Sequence, residues 1–383
     1  RVSTVQWVKA YLSPKNKLED VVVQFEKSSR HLVSEQSSSS HNDAEHTDNS
    51  AIEKDPINII CFDGGGMKGY AHVFMVEEIL KRADGENFCE YFDLAGGTSA
   101  GGLASLFLSM EDGGSQGLIR EGYRSLDAFR ENPSISFLQL LFHGHATNKG
   151  IHTFKSLFGE TPLYNPGGMK AFAVATLRVD DEGDGKKEEK QDSRFEPYLM
   201  RSYDMAVETQ EEKNQALSDQ DKVLRLPGTT NLKLFEALTA TSAAPVAFER
   251  VGLDVDGECL RFGDGGIISN TPVAIAINEA RCLWPDRPIG TIVSFGLNHV
   301  EAEDILNTRA IEACKEAYPD TMHYLRLHPE SDFFKSTEMR TEKIEELRES
   351  VRQLIQETKS KEVDEMLTKL LASSKPIGKR RRS

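Results

Sequence analysis

The tightest constraint on the fold is a unit that occurs twice: an apolar run, a glycine turn, then apolar residues at helical spacing. The first copy runs Ile57-Asn58-Ile59-Ile60-Cys61-Phe62, then Asp63-Gly64-Gly65-Gly66-Met67-Lys68-Gly69, then Ala71 to Arg82 with Val73, Val76, Ile79 and Leu80 recurring. The second runs Phe92-Asp93-Leu94-Ala95, then Gly97-Thr98-Ser99-Ala100-Gly101-Gly102, then Leu103 to Leu108. A near-continuous apolar run is how a parallel strand covered on both faces reads. Two strand–turn–helix units in tandem predict a doubly wound α/β sheet.

The chain is long enough for one large domain or two, at 383 residues. With 38% hydrophobic residues it can build a sizeable core, and no apolar run is long enough for a transmembrane helix. A net charge of -15 argues against nucleic acid as the main partner. The five cysteines (Cys61, Cys89, Cys259, Cys282, Cys314) are scattered, odd in number and without a C-x-x-C pair. That pattern predicts a reducing compartment and no structural zinc. Beginning at Arg1 rather than Met, the chain reads as a fragment or processed product, so any targeting signal ahead of Arg1 stays open.

Four segments are expected. Residues 1–33 read as short amphipathic helices and 34–54 as a Ser-rich disordered linker. Residues 55–335 form the main domain, with a charged insertion loop at 180–192. Residues 336–383 carry a long amphipathic stripe (Ile344, Leu347, Val351, Leu354, Ile355, then Val363, Met366, Leu367, Leu370) and a basic tail, Lys379 to Arg382. The stripe is expected to pack on the domain. Phe137 to Phe142 is read as core, with contact to lipid as the alternative. Strands are expected at 171–176, 198–203, 291–295 and 322–327. A helix is expected over 232–241, and Thr271 resembles the N-cap of another that starts at Pro272.

The chemistry centres on Ser99. In G-x-S-x-G at a strand-to-helix corner, Gly97 and Gly101 remove side chains where the two elements crowd, and the sharp turn exposes the serine oxygen. The helix that follows points its partial positive charge at that oxygen. The bland alternative is a small-residue loop that only lets a helix approach a sheet. The loop Gly64 to Gly69 also matches G-x-G-x-x-G, so a dinucleotide-binding turn competes with an oxyanion hole made by the amides of Gly65 and Gly66. Asp264, between glycines in Gly263-Asp264-Gly265-Gly266, is either an accessible carboxylate or an ordinary Asp-Gly turn. A triad enzyme would take its base from His299, His323 or His328, with His299, just after the strand 291–295, the best placed; a dyad enzyme would use Asp264, its proton affinity raised by burial.

Taken together and in order, Asp63-Gly64-Gly65-Gly66-Met67-Lys68-Gly69, Gly97-Thr98-Ser99-Ala100-Gly101 and Asp264-Gly265-Gly266 resemble the three signature motifs of patatin-like phospholipases. Ala240 to Pro245 and Asn270-Thr271-Pro272 add to the likeness. Glu279 to Pro285 and Ile292 to Gly296 are similar to the calcium-independent phospholipase A2 branch, gamma type in particular. Met67 and Gly296-Leu297-Asn298 depart from the usual pattern. The resemblance spans roughly residues 55 to 300 and implies a three-layer α/β/α fold with a central, mostly parallel sheet, plus a C-terminal helical extension. It implies a lipid acyl hydrolase with Ser99 as nucleophile and Asp264 as base. The backbone of Gly64, Gly65, Gly66, Met67, Lys68 and Gly69 would form the oxyanion hole, with Gly265 and Gly266 completing the Asp264 motif. No metal or cofactor is expected. The expected partner is a phospholipid or other acyl lipid at a membrane surface, and the expected location is cytoplasmic and peripheral on membranes. A Ser-His-Asp esterase using His299 and a non-catalytic lipid- or nucleotide-binding member of the family remain the alternatives.

Overall fold

The computed structural model describes residues 19–27, 29–30, 55–84, 87–110, 114–131, 154–155, 158–179, 194–205, 224–243, 251–297, 301–330 and 341–373. Among these, nine strands form one sheet: β1 (Ile57–Phe62), β2 (Leu94–Thr98), β3 (Lys170–Val179), β4 (Arg194–Arg201), β5 (Gly228–Thr229), β6 (Val251–Val255), β7 (Glu258–Asp264), β8 (Ile289–Phe295) and β9 (His323–Leu327). The order is β5-β4-β3-β2-β1-β8-β9, with the β6–β7 hairpin attached through β7 to β3. The pairs β2–β1, β1–β8, β8–β9, β2–β3 and β4–β5 are parallel. Antiparallel pairing is confined to β3–β4, β3–β7 and β6–β7. The sheet is mostly parallel, as the tandem units predict.

Alternation along β1 shows why helices cover both faces. Ile60 and Phe62 enter one core, while Ile57, Ile59 and Cys61 enter the other. The first core receives α2 (Tyr70–Arg82), α3 (Ala100–Ser109), α4 (Gly114–Glu131), α5 (Leu234–Thr241), α8 (Thr341–Gln353) and α9 (Ser360–Ser373). The second receives α1 (residues 19–27), α6 (Val273–Leu283) and α7 (Glu301–Ala317). The result is a helix–sheet–helix sandwich.

The described parts of both terminal segments dock, while residues 1–18 and 374–383 lie outside the described residues. Val21, Val22 and Phe25 of α1 are buried in the second core, and Arg309 of α7 forks onto Glu26 with both contacts at 2.8 Å. The C-terminal stripe is buried from Ile344 to Leu370, and a five-residue π turn, Leu354–Thr358, separates α8 from α9. Arg82 at the end of α2 reaches Asp364, Ser360 and Gln356 across this junction. The Ser-rich linker, the insertion at 180–192, the run 137–142, Ala244-Pro245, Asn298, His299 and the basic tail lie outside the described residues.

Three local expectations differ. The strand expected at 92–95 is Leu94–Thr98, so Gly96 and Gly97 belong to the strand and not to the turn. A Cβ on Gly96 would stand 2.5 Å from the Phe172 ring, which fills the space instead. The helix expected to start at Pro272 starts at Val273, and Thr271 is not its cap. The Ala274 N–H is taken by Asn307 Oδ1 of α7 at 2.9 Å, while the Thr271 hydroxyl turns to Asp63. The β6–β7 hairpin was not anticipated; it turns at Asp256-Gly257, both at positive φ.

Candidate active site

The elbow forms because its glycines leave room that nothing else would. A Cβ on Gly97 would sit 1.9 Å from the Gly101 carbonyl oxygen, and one on Gly101 would sit 2.1 Å from that of Phe62. Between them Ser99 adopts φ 52° and ψ -118°, a backbone region that side chains rarely enter. It is the N-terminal flank of α3, its carbonyl accepting from Leu103 N–H at 3.1 Å. The positive end of that helix therefore lies at the serine.

Asp264 reaches the same point from the opposite direction. β2 runs parallel to β3 and its last paired residue, Thr98, lies opposite Val174. β7 runs antiparallel along β3, and its last residue, Asp264, lies opposite Ala175. Val174 and Ala175 are consecutive, so the two strands meet end to end at β3. The Ser99 hydroxyl stands close enough to the Asp264 carboxylate to favour its charged form. Asp264 Oδ1 also accepts the Gly266 N–H at 2.7 Å. Both residues are buried, with 6% of Ser99 and 8% of Asp264 exposed. Burial pushes the Asp264 carboxyl up to about 6, against the opposing pull of the Gly266 N–H and the Ser99 hydroxyl.

The glycine loop lies against this pair. A Cβ on Gly64 would come within 3.4 Å of the Ser99 Cβ, and one on Gly69 within 2.7 Å of the Ala100 Cβ. Gly66 has φ 58°, a conformation suited to glycine. Not every amide of the predicted hole is available. Gly64 N–H is bound to the Asn270 carbonyl at 2.9 Å and Lys68 N–H to the Gly65 carbonyl at 3.1 Å. Among the described residues no acceptor is assigned to Gly65 N–H or Gly66 N–H. Met67 and Lys68 complete the 3-10 turn, Gly66–Gly69, and Lys68 is half-buried, which lowers its proton affinity. Asn270 fastens the loop to the Asp264 motif from both sides, its Nδ2 donating to the Gly64 carbonyl at 3.1 Å.

Asp63, which opens the loop, does not face the serine. It is fully buried and held by Arg326 of β9 at 2.7 Å and by Leu297 N–H at 3.2 Å. Burial raises its proton affinity while Arg326 opposes the rise. This anchoring arginine was missed, although a lone arginine in the apolar run 322–327 signals a buried acid. Also missed were the groups that hold the pair by its backbone. Thr241 Oγ1 accepts the Ser99 N–H at 3.0 Å, the Ala243 carbonyl accepts the Asp264 N–H at 2.8 Å, and Thr176 Oγ1 donates to the Asp264 carbonyl at 2.7 Å. Of the other two candidate histidines, His323 opens β9, at the end of the strand away from Ser99 and near Lys369 Nζ, and His328 follows the other end of that strand. No histidine is among the groups acting on Asp264. Among the described residues no cluster of His, Cys, Asp or Glu is arranged to hold a metal ion.

Such a site can do acyl transfer: a strained serine at a helix N-terminus, a buried carboxylate beside its hydroxyl, and a glycine loop packed against the elbow. A family model described as patatin-like phospholipase matches residues 60–277, more than half of the chain. Phospholipase A I of Arabidopsis thaliana is 27% identical over 299 residues, covering 65% of this chain and 21% of that protein. Calcium-independent phospholipase A2-gamma of Mus musculus is 25% identical over 275 residues, covering 68% of this chain and 30% of that protein. Patatin-like protein 2 of Arabidopsis thaliana is 25% identical over 287 residues, covering 67% and 63%. The chain thus spans between about a fifth and a third of the length of the first two relatives.

Proposed function

Because the chain belongs to the patatin-like phospholipase family, we propose that it is a calcium-independent lipid acyl hydrolase working through a Ser99–Asp264 dyad, with phospholipid as its substrate class. The observation that carries this reading is the meeting of the Ser99 hydroxyl and the buried Asp264 carboxylate at the junction of β2 and β7 on β3. Phospholipid is the substrate named for the relatives, phospholipase A I and calcium-independent phospholipase A2-gamma.

In the proposed reaction, Asp264 takes the Ser99 proton as Oγ attacks the ester carbonyl carbon. The oxyanion settles on the Gly65 and Gly66 amides, with the α3 N-terminus adding favourable potential. Collapse breaks the ester C–O bond, and the departing alkoxide takes the proton from Asp264. A water then gives its proton to Asp264 and attacks the acyl-enzyme, releasing the fatty acid and restoring Ser99. The products are a fatty acid and a lysophospholipid. No helix among the described residues is long and apolar enough to cross a membrane, so the chain is proposed to meet its lipid from the membrane surface.

Fatty-acid release from phospholipid vesicles in EGTA tests the reading. Wild type should turn over at the same rate with calcium or EGTA, and Ser99→Ala and Asp264→Asn should each fall by at least about a thousandfold. Retained activity in Asp264→Asn, with loss in His299→Ala, would replace the dyad by a triad.

A further inference from the structure

This inference rests on the Ser99–Asp264 reading and deepens it. At the elbow the chain leaves the β3 ladder: Thr98 is the last residue of β2 paired with β3, and the next position of β3 is occupied by Asp264. Ser99 N–H and Val174 C=O are left at the break. A Cβ on Gly265 would stand 2.1 Å from the Val174 oxygen, so that carbonyl faces this same edge. The Thr241 side chain fills the break. It is fully buried, accepts the Ser99 N–H at 3.0 Å and donates to the Val174 carbonyl at 2.5 Å. One hydroxyl thereby replaces the ladder bond that the turn gives up, and leaves neither backbone group unsatisfied.

Two residues later the Ala243 carbonyl holds the Asp264 N–H at 2.8 Å. The end of α5 therefore grips both members of the dyad by their backbones. Ser99 needs such a grip, because a non-glycine residue at φ 52° persists only where its surroundings hold it there. The flanking glycines permit the turn but do not enforce it, and the Leu103 N–H holds Ser99 only by its carbonyl. We propose that Thr241 is a positioning residue. Its hydroxyl locks Ser99 in the left-handed conformation that aims Oγ at Asp264, without itself touching the reacting atoms.

The test compares Thr241→Val, which keeps the shape and removes the hydroxyl, with Thr241→Ser, which keeps the hydroxyl. Active sites are counted by stoichiometric fluorophosphonate labelling, and kcat is expressed per labelled site. Thr241→Val should lose about ten- to a hundredfold in kcat with KM within about twofold, and its labelling should slow in proportion. Thr241→Ser should return to within about threefold of wild type. Wild-type kcat and labelling rate in Thr241→Val would overturn the proposal, as would a Thr241→Ser variant as slow as Thr241→Val. If Thr241→Val does not fold, Thr241→Cys, with its weaker donor and acceptor, should show the same kcat loss, and wild-type turnover in it would be equally fatal. Ser99→Ala and Asp264→Asn run alongside separate the two claims: turnover surviving in either would sink the dyad itself, whatever Thr241 does.

Discussion

An aspartate with its ordinary proton affinity is a poor base near neutrality, and burial is what changes that at Asp264. Its carboxyl is pushed from 3.8 up to about 6 by desolvation. If it is the base, kcat/KM should fall on the acid side with an apparent pKa of about 6, and the limb should vanish in no other carboxylate variant. The same shift has a stability consequence of definite sign. A folded-state pKa above the unfolded one stabilises below about 4 and loses that contribution as pH rises through about 6. Two units correspond to about 3 kcal/mol, which the wild type forgoes at pH 8 by burying the charge. Asp264→Asn should therefore be inactive yet more stable than wild type at pH 8 by up to that amount, the gap closing toward pH 4 in urea titrations. Gly101→Ala should go the other way. Its Cβ would lie 2.1 Å from the Phe62 carbonyl oxygen, a rigid backbone atom, so the elbow must open. A loss above about 2 kcal/mol is expected, together with most of the activity.

At the scale of elements, burial separates contacts that look alike on a list. Leu370 of α9 is fully buried in the first core, whereas Asp364, earlier on the same helix, is exposed in its ion pair with Arg82. Leu370→Ala should cost about 2–5 kcal/mol and Asp364→Ala under about 1 kcal/mol by denaturant unfolding. Within Arg201–Glu279, which ties β4 to α6 with both side chains buried and Tyr203 donating to Glu279 at 2.8 Å, Glu279→Gln should cost about 3–5 kcal/mol. What could be read from the sequence follows the same division. The two strand–glycine–helix units and the C-terminal stripe carry their evidence locally, in periodicity and turn residues, and those elements were legible. The hairpin β6–β7 had a local signal as well, Asp256-Gly257 directly after alternating Val251, Leu253 and Val255, which went unread. Thr241, Asn307 and Arg326 act on residues 142, 33 and 263 positions away. Their roles exist only once the sheet has brought those partners together, and no pattern within a window of sequence contains them.

Over the whole molecule, charge would govern the proposed encounter with a lipid surface. The net charge is -15, so an anionic bilayer repels the chain as a body, whereas a zwitterionic one is neutral toward it. Repulsion of this kind acts over about a Debye length, roughly 10 Å at 0.1 M salt and 3 Å at 1 M. Salt should therefore matter in one case and not in the other. On vesicles of phosphatidylcholine alone, initial rates of fatty-acid release should change little as salt is raised. On vesicles carrying about a third phosphatidylserine they should start lower and climb with salt toward the phosphatidylcholine value. The chemical step proposed at Ser99 would be shielded from this effect by the burial of that residue, so hydrolysis of a small soluble ester by the same preparation should be insensitive to salt and provides the control. Rates that fall with salt on the anionic vesicles would show instead that a local basic surface, the Lys379 to Arg382 tail foremost, outweighs the charge of the whole. Deleting that tail should then reverse the salt dependence.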